Sequence, residues 1–302
     1  MTTTTAPPQA ARRSVKKPEG AHNTQRSQGR GRALIPAHVL AWVYAALLAI
    51  PIYYIIVSAF KPNLAIFSEP FALPTSLSFE NFATAWSRAS LGTALANSLL
   101  ITGVSAVLTL ALAVPAAYGL ARAKGRLGTA VERLFSLGFL IPGFAALVPT
   151  VLLAIAIGLF QTRLFVILFM PATALPLSVI LLTQFMRTVP SELEESATLD
   201  GANRWAVLRH IYLPIATPGI ATVTILNLLN FWNEYLFTLI LGGPNPSVRT
   251  VQVALPTLVS QTSTDYGVLA AGTLITLVPV YLAYILLSRQ MEDALLQGAV
   301  KS

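Results

Sequence analysis

Six apolar stretches, at about 38–60, 95–121, 134–160, 164–186, 215–241 and 268–288, constrain this chain more than anything else in it. Each is near the ~20 residues that a helix needs to cross a ~30 Å hydrocarbon layer. Hydrophobic residues make up 55% of the chain and charged residues 11%, far from the mix of a water-soluble domain. Pro51, Pro115, Pro142, Pro149, Pro171, Pro176 and Pro279 lie inside these stretches or at their ends. In water they would break helices. In a membrane bundle neighbouring helices satisfy the freed carbonyls, so kinks are expected instead. The predicted fold class is an all-α membrane protein with six transmembrane helices.

Residues 1–33 are rich in Thr, Pro, Gln, Gly and Arg and bury almost nothing, so a disordered basic tail is expected there. No apolar segment follows Arg12-Arg13 closely enough for an export signal. The membrane domain then occupies 34–302. With both termini inside, one side carries the tail cations, Arg122, Lys124, Arg126, Arg133, Arg187, Arg204, Arg209, Arg289 and Lys301. The other keeps Lys61, Arg88, Arg163 and Arg249. That asymmetry predicts an N-in, C-in topology, with residues 187–214 in the cytoplasm.

The net charge of +8 belongs to those loops and the tail, so no nucleic-acid partner is expected. There are no cysteines and only three histidines, scattered at 22, 38 and 210. A thiolate or histidine-rich metal site is therefore not expected.

The loop from Pro190 to Pro214 is the one long charged passage between apolar blocks. Pro190 suits a first helical turn, Ser191 is a plausible cap, and Glu192, Glu194 and Glu195 sit where the helix dipole favours negative charge. Gly201 should end this helix. Asn203 then caps a second short one, on which Trp205, Leu208 and Ile211 share a face. The expected product is a compact knob of two short helices about a glycine elbow, shaped for a groove on another protein.

Glu195-Ser196-Ala197, Asp200-Gly201-Ala202, Ile211, Leu213-Pro214 and Pro218 resemble, in register, the "EAA" signature of permease subunits of bacterial ABC importers. Ser196 replaces the first alanine of the pattern. The Lys61-Pro62 pair, the Asn81-Phe82 pair before Trp86, and Asn97-Ser98 are similar to the carbohydrate class, in particular the second permease of maltose-type importers. So is the ending Gly298-Ala299-Val300-Lys301, here followed by Ser302. The resemblance implies a heterodimer with a second permease, two cytoplasmic ATPase subunits and an extracytoplasmic solute-binding protein. It implies that Glu195 and Asp200 pair with basic residues of an ATPase. Ala197, Gly201 and Ala202 would keep the knob thin, and Trp205 and Leu208 would anchor its second helix, with Leu213-Pro214 closing the loop.

In the fifth apolar block Asn227, Asn230 and Glu234 are three and four apart, which places them on one helical face, with Asn233 at its edge. Polar groups inside a span face protein or water. Amides and a carboxylate hydrogen-bond sugar hydroxyls, and Trp232 or Tyr235 offer apolar faces for stacking. The same residue types also hold helices together, and the pattern alone does not choose between the two uses. FWNEYLFTLIL resembles the fifth helix of carbohydrate importer permeases, which implies a substrate pathway at Asn227, Asn230, Asn233, Glu234 and Tyr235. The outer segments 61–94 and 242–267 either meet an extracytoplasmic partner or cap the bundle.

No G-x-x-x-x-G-K-[ST] loop is present, nor a GxSxG elbow, so the chain is not expected to be an enzyme or to hold a cofactor. ATP and Mg would bind the partner ATPase. A secondary transporter would need an internal ion site, and Glu234 is the one acid well within a span.

Overall fold

A computed structural model describes residues 28–259 and 264–299, with side chains described over 38–259 and 264–286. Residues 1–27, 260–263 and 300–302 lie outside the described residues, and with them most of the expected tail, part of the polar run before Asp265 and the last three residues of the terminal motif. In chain order the helices are α1 (Gln28–Ala59), α2 (Asn63–Ser68), α3 (Glu80–Arg88), α4 (Leu91–Arg122), α5 (Arg126–Leu140), α6 (Leu147–Ala156) and α7 (Arg163–Arg187). The rest are α8 (Ser191–Leu199), α9 (Arg204–Val207), α10 (Leu213–Asn233), α11 (Val251–Ala254) and α12 (Tyr266–Ala299). Helix α1 takes in 28–33, which the sequence reading assigned to the tail. The chain divides into two units at Ile52; α1 up to that point belongs to the first and everything after it to the second.

Among the described residues five helical stretches are long and apolar enough to cross a membrane: His38–Ala59, Leu91–Arg122, Arg163–Arg187, Arg204–Asn233 and Tyr266–Leu286. The expected span at 134–160 is a broken one. Arg126–Leu140 and Gly143–Ala156 meet at 91°. Pro142 follows directly on the last turn of α5, which ends with Ile141 in an extended conformation, the conformation favoured by a residue that precedes proline.

Pro171 sits inside α7 without breaking it. Its missing N–H leaves the Ile167 carbonyl free, and the Ser105 hydroxyl of α4 donates to that oxygen at 3.1 Å. This is the neighbour-helix repair that a membrane bundle permits. Helices α4 and α7 can lie this close because α4 turns the small, buried Ser105, Ala106, Ala113 and Ala117 into clusters or bonds with α7 residues.

The outer end of the second unit is closed by side chain to backbone bonds. Asn97 Nδ2 donates to the carbonyls of Ser247 (3.0 Å) and Arg249 (3.1 Å), and Ser98 Oγ accepts from Val251 N at 2.9 Å. Arg249 is buried and donates to the carbonyl of Ala89, the residue after α3, at 2.9 Å. Arg163 reaches Asn97 Oδ1 at 3.2 Å, and Lys61 Nζ donates to the Glu69 carbonyl at 2.7 Å. Arg249 and Lys61 thus tie loops to helix ends, Arg163 ties α7 to α4, and residues 247–251 close over this end of the bundle.

Candidate coupling loop and intramembrane cleft

The loop 187–214 begins with an N-cap one residue earlier than expected. Pro190 occupies that position with no side-chain bond, and Ser191 is the first helical residue, so Ser191 is not the cap. Proline has already fixed the extended backbone that a cap requires. The glycine elbow forms as expected. Gly201 has φ +84°, its N–H bonds to the Thr198 carbonyl at 3.0 Å, and Ala202 N–H bonds to Ala197 O at 2.9 Å. These are the two closing bonds of a Schellman motif.

Asn203 Oδ1 accepts from Ala206 N at 2.9 Å and caps the next helix. That helix does not end inside the loop. After α9 it widens into a π-turn at Leu208–Tyr212 and continues as α10, giving one helix from Arg204 to Asn233. The knob is therefore one short helix, α8, and the first turns of the fifth span.

Leu208 is buried with Val207 and Tyr212 in a cluster with Ala117, Leu182 and Met186, and it does anchor the loop. Trp205 does not, for it is 71% exposed. The buried stripe runs through Val207, Leu208, Tyr212 and Ala216, and Trp205 on the first turn stands outside it. Ala197, Ala202 and Leu213 pack against the cluster, while Glu195, Asp200, Gly201 and Pro214 are exposed. Leu199, at 89% exposed, stands out with Trp205 as an uncovered apolar side chain.

Sequence reasoning assigned Glu194 nothing beyond the helix dipole. It is half-buried and takes the Arg122 Nε at 2.5 Å and the Tyr212 hydroxyl at 3.0 Å. Arg187, at the end of α7, makes a two-pronged pair with Glu132 of α5, at 2.9 and 2.8 Å. No spacing rule finds such partners, because each lies on another helix.

At the other end of α10 the expected polar stripe is interrupted. The helix stops at Asn233, and Glu234 is extended, with ψ 114°. Its carboxylate accepts from Phe237 N at 2.9 Å, its carbonyl accepts from the Thr238 hydroxyl, and a π-turn resumes at Thr238–Gly242. Glu234 thus caps the next turn rather than continuing a helical face. Asn227 is buried and donates to Ser178 Oγ of α7 at 3.0 Å, an interhelical tie. Asn233 is exposed and its amide donates to the Leu229 carbonyl at 2.8 Å. Tyr235 is exposed, and Trp232 is buried in a separate apolar crevice with Leu99 and Tyr284.

Asn230 and Glu234 come together in a cleft with Thr173, Phe169, Phe237 and Gly143. The rings of Phe169 and Phe237 lie 4.7 Å apart. Gly143 belongs to the bend after α5, so the cleft opens where two interrupted spans meet. Among the described residues no cluster of His, Cys, Asp and Glu has the makings of a metal site.

Residues 109–291, which hold both the loop and the cleft, match the family model of the binding-protein-dependent transport system inner membrane component. The diacetylchitobiose uptake system permease protein NgcG of Streptomyces coelicolor is 32% identical, over 88% of this chain and 88% of its own. The melibiose/raffinose/stachyose import permease protein MelC of Bacillus subtilis is 32% identical, over 87% of this chain and 95% of its own. The crystal structure of a bacterial ABC transporter involved in the import of the acidic polysaccharide alginate contains a chain of the same fold. It superimposes with a TM-score of 0.76 at 22% identity, covering 87% of this chain and 98% of that one. A loop carrying the signature elbow, the broken spans and full-length relatives agree: the chain belongs to the family of inner-membrane components of binding-protein-dependent transport systems, and it is an ABC importer permease.

Proposed function

We propose that this permease forms half of the translocation pathway for a neutral sugar or short oligosaccharide, handed over by an extracytoplasmic binding protein. The observation that carries this reading is the cleft of Asn230, Glu234 and Thr173 beside the Phe169–Phe237 pair. An amide, a hydroxyl and a carboxylate match the alternating donors and acceptors of sugar hydroxyls, and aromatic faces suit the apolar faces of the ring. Relatives named for diacetylchitobiose and for melibiose, raffinose and stachyose support the same substrate class. Asn233 and Tyr235, both exposed at the mouth of the break, flank the path.

A second permease supplies the other half, and two ATPase subunits, which hold ATP and Mg, drive the cycle from the cytoplasm. The loop 187–214 seats in a groove on one ATPase. Glu195 and Asp200 meet its basic residues, and Leu199 and Trp205 enter the apolar part of the groove. Ala197, Gly201 and Ala202 keep the loop thin. Leu208 and Leu213 hold it against the bundle, and Pro214 marks where the loop passes into the fifth span.

The test is purification of a tagged copy in mild detergent, followed by reconstitution with its binding protein. The expected result is recovery of an ATPase and a second permease, with ATP-dependent uptake of a neutral sugar. A chain that comes out alone and transports on a proton gradient overturns the reading and makes Glu234 an ion site.

A further inference from the structure

We infer that the Glu194 carboxylate is the fastener that joins the coupling loop to two spans at once, and that it sets how tightly ATP hydrolysis is tied to import. The inference rests on the coupling reading above and assigns a role to residues outside the signature. Three elements meet at this carboxylate. Arg122, on the last turn of α4, places Nε 2.5 Å from Oε2. Tyr118, one turn earlier on the same face, donates to Oε1 at 3.4 Å. Tyr212, fully buried at the end of the π-turn, donates to Oε2 at 3.0 Å.

The three partners also hold each other. The Arg122 guanidinium lies 4.9 Å above the Tyr212 ring, and the rings of Tyr118 and Tyr212 meet edge-on at 4.8 Å. Arg122 Nε and Nη2 are both buried without a hydrogen bond, so the guanidinium is held by charge: the one ion pair that Arg122 makes among the described residues is with Glu194. The guanidinium is partly buried, and removing its one counter-charge leaves Nε and Nη2 covered without a counter-charge, which weakens the join. The clasp is therefore closed by default, and α8 cannot shift without carrying the ends of α4 and of the fifth span with it. Glu195, the first residue of the signature, is exposed and has no such part.

Removing the clasp separates hydrolysis from movement. In proteoliposomes holding the whole transporter and its binding protein, Glu194→Gln and Tyr212→Phe are compared with the unaltered chain by ATP hydrolysed per sugar imported. Both substitutions keep the shape of the side chain. The expected result is a ratio raised about fivefold or more in each. In the double variant the ratio rises little further, because both changes open the same clasp. An unchanged ratio in assembled transporter, or effects that multiply in the double variant, overturns the inference. If Glu194→Gln fails to assemble, Tyr212→Phe alone decides, since it removes a single hydroxyl. Failure of the unaltered chain to retain an ATPase overturns the coupling reading instead, which keeps the two failures apart.

Discussion

The elbow at Gly201 and the break at Glu234 are both places where a helix stops, and they stop in different ways. Helix α8 ends on local instructions: a glycine at φ +84° and two closing backbone bonds within six residues of chain. Helix α10 ends with neither glycine nor proline next to it. Its end is made by Glu234, which turns its carboxylate onto the next segment's N–H, and by Thr238, which bonds back to the Glu234 carbonyl. The first kind of ending is written in residue type. The second depends on what surrounds the chain, and a polar stripe at helical spacing looks the same whether or not the helix continues.

The contrast is tested most severely at the elbow. Gly201→Val forces a β-branched residue into the left-handed region, at about 1–2 kcal/mol or more, although a Cβ there meets open space. Sugar uptake should be abolished with the protein still at normal level in the membrane, whereas Gly201→Asn should keep most of it, since Asn tolerates that backbone. Equal loss in both variants would mean that the elbow needs thinness and not its backbone angle.

A smaller effect is expected beneath the loop. Leu208→Ala opens a hole in the buried cluster and should lower the stability of the purified transporter by about 2–5 kcal/mol, read as a drop in Tm. The smallest effect separates the two amides of the fifth span. Asn227→Ala should cost about 1 kcal/mol of stability with KM for sugar unchanged, because it removes an interhelical bond. Asn230→Ala should raise KM with Tm unchanged. The opposite pattern would move the pathway from the Asn230 cleft to the Asn227–Ser178 contact.

Much of the fold was legible because the bilayer imposes it: apolar blocks of about 20 residues can do little else. The loop was legible too, since glycine and asparagine carry their backbone preferences with them. What the sequence hid came from contacts between distant residues. Pro142 breaks a span and Pro171 does not, and at Pro171 a serine of α4, far away in the chain, takes up the freed Ile167 carbonyl. Trp205 and Leu208 are three apart, as if on one face, yet only Leu208 is covered by the bundle. Glu194 looked like one of three acids in a first turn until Arg122 and Tyr212 were found around it. Thr173, Phe169 and Phe237 carried no signal, because a lone threonine and two phenylalanines are ordinary in any span.

The unbroken helix from Arg204 to Asn233 has a consequence for how such a protein can change. Each residue turns a helix by about 100°, so the two ends of this rod keep a fixed angular phase. Deleting one residue in its regular part, between Ile220 and Leu226, would leave the span apolar and long enough, and both end motifs intact. It would also swing Asn230 by about 100° about the axis, away from Thr173. The interval between elbow and cleft thus behaves as a keyed shaft, whose length tolerates change only by near-whole turns.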